Sequence, residues 1–115
     1  MSEMLEKARK YEAEQGLKIK AEDRPAFHVS PYVGWMNDPN GFSYYNGAYH
    51  MFYQYYPYRP FWGPMHWGHA VSKDLLHWNY LPAALAPDEP YENGGGCFSG
   101  SAIDLSDGRQ LLVYT

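Results

Sequence analysis

Cysteine occurs once in these 115 residues, at Cys97, so no internal disulfide can form. Cationic residues are not in excess. The net charge is −4, which leaves no basic footprint for nucleic acid. No apolar run is long enough for a membrane span. The opening residues, MSEMLEKARKYEAEQG, alternate charges and lack the apolar centre of a secretory signal. The lone thiol and the charged start together give a cytoplasmic expectation. Several catalytic patterns are missing as well. A Gly-x-Ser-x-Gly elbow at Ser99 would need glycine where Cys97 stands. A dinucleotide loop starting at Gly94 would need glycine where Ser99 stands, and no helix comes after it. His66 and His69 lie three apart on a predicted strand and face opposite ways, so no joint metal site is expected. Cys97 has no adjacent histidine or basic residue and reads as an inert thiol. No cofactor is expected.

Aromatic residues, by contrast, are abundant at 18%, with Tyr 12 and Trp 4. Such rings suit packed β-structure and sugar-binding surfaces. Apolar residues reach 45%, enough for a core, and the length allows one small domain at most.

Ser2 to Gln15 reads as a helix with Met4, Ala8 and Tyr11 on the docking face and Gly16 as its stop. Leu17 to Arg24 reads as a linker, so residues 1–24 form a helix-and-linker segment ahead of a β region, residues 25–115. In that region Phe42 to Tyr45 and Ala48 to Tyr56 flank Asn46-Gly47, a strong type I′ hairpin signal. Met65 to Ser72 and His77 to Leu81 give two further strands, and Pro82 and Pro87 are expected to end regular structure there. Cys97 to Leu105 and Gln110 to Tyr114 form another hairpin through Ser106-Asp107-Gly108. Four short strands and the start of a second set point to repeated sheets, as in propeller blades. The last residues lie in the apolar run Leu111 to Tyr114, which reads as a strand awaiting a partner.

Trp35-Met36-Asn37-Asp38-Pro39-Asn40-Gly41 is the most informative stretch. Pro39 pushes Asp38 to extended backbone, and Asp, Pro and Gly at the first, second and fourth positions suit a type I turn. Turn chemistry alone leaves two readings open: a nucleophilic carboxylate at a strand end, or an aspartate that only caps its own turn.

The seven residues resemble the first signature of glycoside hydrolase family 32. The preceding Phe27-His28-Val29-Ser30-Pro31 is similar to that family's lead-in. Four further segments match in the family's order: Phe52 to Pro57, Trp62 to His69, Ser72 to Trp78 and Phe98 to Ala102. The opening helix is also similar to that of bacterial intracellular members. The resemblance implies an all-β fold: the first blade and the start of the second blade of a five-bladed β-propeller, preceded by a short N-terminal helix. It implies retaining hydrolysis of terminal β-D-fructofuranosides such as sucrose or sucrose 6-phosphate, with Asp38 as nucleophile. Trp35, Asn37, Gln54, Trp62, Phe98 and Ser99 become the expected contacts to a small-molecule sugar. No nucleic acid, membrane or metal enters this picture. The family's later Arg-Asp-Pro and Glu-Cys signatures, which should stabilise the transition state and supply the acid/base, have no match here. Glu89 and Glu92 are the only glutamates after Arg24 and fit neither. The alternatives are a non-catalytic carbohydrate-binding module and a fructan hydrolase or fructosyltransferase of the same family.

Overall fold

Asn46 and Gly47 both take positive φ, +52° and +80°, as a type I′ turn requires, and they set the hairpin from which the main sheet grows. A computed structural model describes all 115 residues. The helix α1 (Glu3–Gly16) comes first. Strands β1 (Trp35–Tyr45), β2 (Ala48–Tyr56), β3 (His66–Ser72) and β4 (Asn79–Leu85) then form an antiparallel meander in the order β1-β2-β3-β4. Strands β5 (Gly100–Asp104) and β6 (Gln110–Tyr114) form a separate antiparallel hairpin. The meander is the expected first blade, and the hairpin opens the second.

The two faces of the meander bury different things. Tyr53, Tyr55, Ala70 and Ala83 join Val33 on one face, with Leu5 and Tyr11 of α1 packed against them. Phe52 and Trp67 join Cys97 on the other, against Leu112 and Tyr114 of the hairpin. Alternation along β2 separates the sets, since successive side chains on a strand point to opposite faces.

The structure corrects five expectations. No tight turn interrupts the chain at Asp38: β1 begins at Trp35 and runs on to Tyr45. Pairing with β2 moves from Met36↔Tyr55 to Pro39↔Tyr53, then from Asn40↔Phe52 to Ser43↔His50. Each step spends one more residue on β1 than on β2, so the strand carries two β-bulges. Pro39 fits because it lies at a bulge on an edge strand. Secondly, β4 is Asn79–Leu85 rather than His77–Leu81, and Pro82 lies within it; β4 is the opposite edge of the sheet, where a missing N–H is tolerated. Thirdly, β5 begins at Gly100, three residues after the expected start at Cys97. Fourthly, Gly16 is the last helical residue rather than a left-handed stop. A Cβ there would come within 2.3 Å of the Tyr32 ring, so it is close approach that demands glycine. The docking face is also rotated: Ala8, Glu12 and Gly16 are buried, whereas Met4 is exposed.

Candidate active site

The bulges decide where the side chains of β1 point. Met36 packs with the Tyr53–Tyr55 face, yet Asn40, four residues on, lies among Gln54 and Trp67 on the other. An even separation should keep both on one face; the extra residue between them reverses the parity. Asp38 sits in that bulge and is exposed. The second bulge holds Gly41 at φ +52°, with Phe52, Ala102 and Trp67 side chains within 3.5 Å of where its Cβ would stand.

Ser99, sixty-one residues from Asp38, donates its Oγ hydrogen to Asp38 Oδ2 at 3.3 Å. This is the central contact of the site, and it brings two matched motifs together. Trp35 Nε1 donates to Asn37 Oδ1 at 2.8 Å, pinning the indole beside the start of the strand. Phe98 and Trp62, both exposed, flank Gly95: a Cβ there would lie 2.6 Å from the Phe98 ring and 3.6 Å from the Trp62 ring. The two exposed rings thus meet over Gly95, on the segment that runs into Ser99.

Gln54 lies beneath, at 3% exposure. Its Nε2 donates to the Cys97 carbonyl at 2.9 Å and, with the Asn40 oxygen turned inward, to Asn40 Oδ1 at 2.9 Å. Trp67 Nε1 donates to the Phe98 carbonyl at 3.0 Å and reaches the same Asn40 oxygen at 3.3 Å. The backbone carrying Phe98 and Ser99 is thus tied to the sheet from below. Sequence reasoning named neither Asn40 nor Trp67 as a site residue, although both lie inside matched motifs. Their role depends on a cross-strand register that no local pattern reveals.

The chain's four cavities lie elsewhere. One is formed by Tyr11, Gly34 and Pro57 with their neighbours, and the others involve Arg9 and Glu12 or the Arg24–Pro31 stretch. The two histidines weighed as a metal pair do point apart. His66 Nδ1 faces the Pro64 carbonyl at 2.8 Å, whereas His69 Nε2 faces His50 Nδ1 at 2.9 Å. Burial pushes both down to about 4, and for His69 the neighbouring His50 adds to the effect.

Residues 28–115 match the family described as glycosyl hydrolases family 32 N-terminal domain. The chain is 57% identical over 97 residues to the sucrose-6-phosphate hydrolase of Zymomonas mobilis, covering 84% of this chain and 19% of that protein. It is 62% identical over 80 residues to the levanase of Bacillus subtilis, covering 70% and 11% respectively. The solved structure of the family 32 β-fructofuranosidase of Bombyx mori superposes with a TM-score of 0.82 at 49% identity, over 96% of this chain and 22% of that one. The chain therefore spans about a fifth or less of the length of the curated relatives it matches.

Proposed function

The chain belongs to glycosyl hydrolase family 32, and on that premise we propose that it forms the nucleophile-bearing N-terminal part of an enzyme hydrolysing terminal β-D-fructofuranosides, sucrose or sucrose 6-phosphate, with retention of configuration. Residues 25–115 contribute to the catalytic propeller, and residues 1–24 are the helix and linker that precede it.

The observation that carries this reading is the contact between Asp38, on the bulged strand, and Ser99, on the segment where Phe98 and Trp62 meet over Gly95. In the reading, an Asp38 oxygen attacks the anomeric carbon of fructose as the bond to the leaving glucosyl oxygen breaks. An acid absent from residues 1–115 protonates that oxygen. Water, activated by the same group as base, then cleaves the fructosyl ester and restores Asp38. Retention needs the two carboxyl groups about 5–5.5 Å apart. Ser99 orients the Asp38 carboxylate, so that little reorganisation accompanies attack. Trp35 and Asn37 hold the neighbouring sugar edge, Trp62 and Phe98 present ring faces to it, and Gln54 contributes the amide oxygen left over from its bonds to Cys97 and Asn40.

A fructan-cleaving activity is the second reading, favoured by the similarity to a levanase. A cytoplasmic setting is also proposed, supported by the single cysteine and the charged opening residues; no helix is long and apolar enough to cross a membrane.

The test joins residues 1–115 to the remainder of the Zymomonas hydrolase in place of its matching segment. The chimera is expected to cleave sucrose, and Asp38→Asn to abolish turnover while sparing sugar binding. A slow fluorinated fructoside should label the peptide from Trp35 to Gly41. A label on another carboxylate, or near-normal turnover by the variant, refutes the assignment.

A further inference from the structure

Glu92 is buried at 4% exposure, and no lysine, arginine or histidine pairs with it. Hydrogen-bond donors surround it instead. Oε1 accepts from the Tyr114 hydroxyl of β6 and from the Cys97 thiol at 3.3 Å, and Oε2 accepts from the Glu89 amide at 2.8 Å. The Glu92 carbonyl takes the amides of Gly95 at 3.2 Å and Gly96 at 2.8 Å. A buried charge without a counter-charge is costly; at the end of the short 3-10 helix Pro90–Glu92 the carboxylate closes a capping box with Glu89 and in addition reaches inward to Cys97 and Tyr114. Burial opposes ionisation, but the hydrogens from Tyr114, Glu89 and Cys97 outweigh it and hold the carboxyl below its usual range. The Cys97 thiol is pushed up, by burial and then by Glu92, and the Tyr114 hydroxyl is pushed up, by Glu92 and then by burial. All three directions describe one ionised carboxylate held by two protonated neighbours.

The segment so held leads straight to the site. Cys97 N donates to the Met65 carbonyl at 2.9 Å, and the Cys97 carbonyl takes the Gln54 amide at 2.9 Å. Phe98 N donates to the Thr115 carbonyl at 2.9 Å, and Thr115 N returns to the Ser99 carbonyl at 3.3 Å. Ser99 then reaches Asp38. Glu92 fastens both ends of this run: Cys97, where it starts, and Tyr114, next to the residue that braces Ser99.

We propose that Glu92 is a positioning residue for the fructoside-cleaving site, its buried carboxylate fixing the backbone from which Ser99 donates to Asp38. The proposal takes its catalytic meaning from the reading of Asp38 as nucleophile, but its test is blind to turnover, so either can fail without the other.

The experiment follows the carboxyl-carbon resonance of Asp38 by NMR in the 115-residue chain. Ser99→Ala should shift it. Glu92→Gln should shift it in the same direction by a comparable amount, and the double variant should add nothing further. Tyr114→Phe, which removes one donor, should give a smaller shift of the same sign; it decides the matter if Glu92→Gln unfolds the chain. Reaction of Cys97 with a disulfide reagent should be about tenfold faster in Glu92→Gln. A merely structural Glu92 would expose the thiol and leave the Asp38 resonance alone. That result overturns the proposal, as do additive effects of the two substitutions or a Ser99→Ala that leaves Asp38 unmoved.

Discussion

Met36 and Asn40 belong to one strand and are separated by an even number of residues, yet they serve opposite faces of the sheet. At the scale of single residues this parity change is what makes the site. It presents Asp38 at the strand's edge and buries Asn40 beneath Phe98. The seven-residue motif singled out Asp38 as the candidate nucleophile. Its backbone was not legible, because Asp-Pro-Asn-Gly satisfies both a type I turn and a bulged strand, and only pairing with Tyr53 and Phe52 selects the latter. Strand β1 and the turn that follows it supply a comparison of two glycines. Gly41 and Gly47 both have positive φ, but a Cβ at Gly47 would meet nothing within 4 Å, whereas at Gly41 it would lie 3.0 Å from the Phe52 ring. Gly47→Ala should cost about 1–2 kcal/mol from backbone strain alone. Gly41→Ala should cost more, with repacking of Phe52 and Trp67, so its urea midpoint should fall below that of Gly47→Ala. Equal midpoints would show that the second bulge is not tightly packed.

At the scale of elements, α1 was legible in the spacing of Met4, Ala8 and Tyr11 ahead of Gly16, and the structure adds a cap at its start, Ser2 accepting from the Leu5 amide at 3.2 Å. What the pattern concealed is how it docks. Glu12 Oε1 accepts the Ala83 amide and Arg9 Nε donates to the Ala83 carbonyl, both at 2.8 Å. The two side chains thus pair with edge strand β4 as a neighbouring strand would. A glutamate in a charge-rich helix reads as solvated unless the edge strand it serves is known. Burial pushes Glu12 up to about 7, with the Ala83 amide and Arg9 offsetting only part of that. A carboxyl raised in the folded state keeps a proton there that the unfolded chain has released. Its contribution to stability is therefore full below about pH 4.5 and is lost as pH rises through 7. The loss approaches about 3 kcal/mol, from a separation of about 2.5 between the folded and ordinary values. His66 and His69, lowered to about 4, act oppositely, costing stability as pH falls below about 6.5. The difference between wild type and Glu12→Gln, measured as unfolding free energy from pH 5 to 8, isolates the glutamate. A pH-independent difference would refute the assignment.

At the scale of the whole molecule, the blade-and-hairpin plan was legible because turn residues punctuate every strand and because five motifs occur in the family's order. The faces left open were not. Ile103, Leu111 and Val113 line up on the outer face of the hairpin and are exposed, while Ala102, Leu112 and Tyr114 pack inward. An apolar face of this kind favours self-association, so residues 1–115 expressed alone should sediment as concentration-dependent oligomers. Ile103→Lys with Val113→Lys should shift them toward monomer. The same chain should not turn over sucrose, since it lacks the acid whose contribution is about 10²–10⁴-fold; glucose release at ordinary enzyme rates would contradict that. The helix acquires a further meaning at this scale. By saturating Ala83 with one guanidinium and one carboxylate, α1 acts on the sheet as a chain terminator acts on a growing polymer. The peptide group that would recruit another strand is already capped by side chains that cannot propagate. At Ala83, strand addition beyond β4 is blocked from within the same polypeptide.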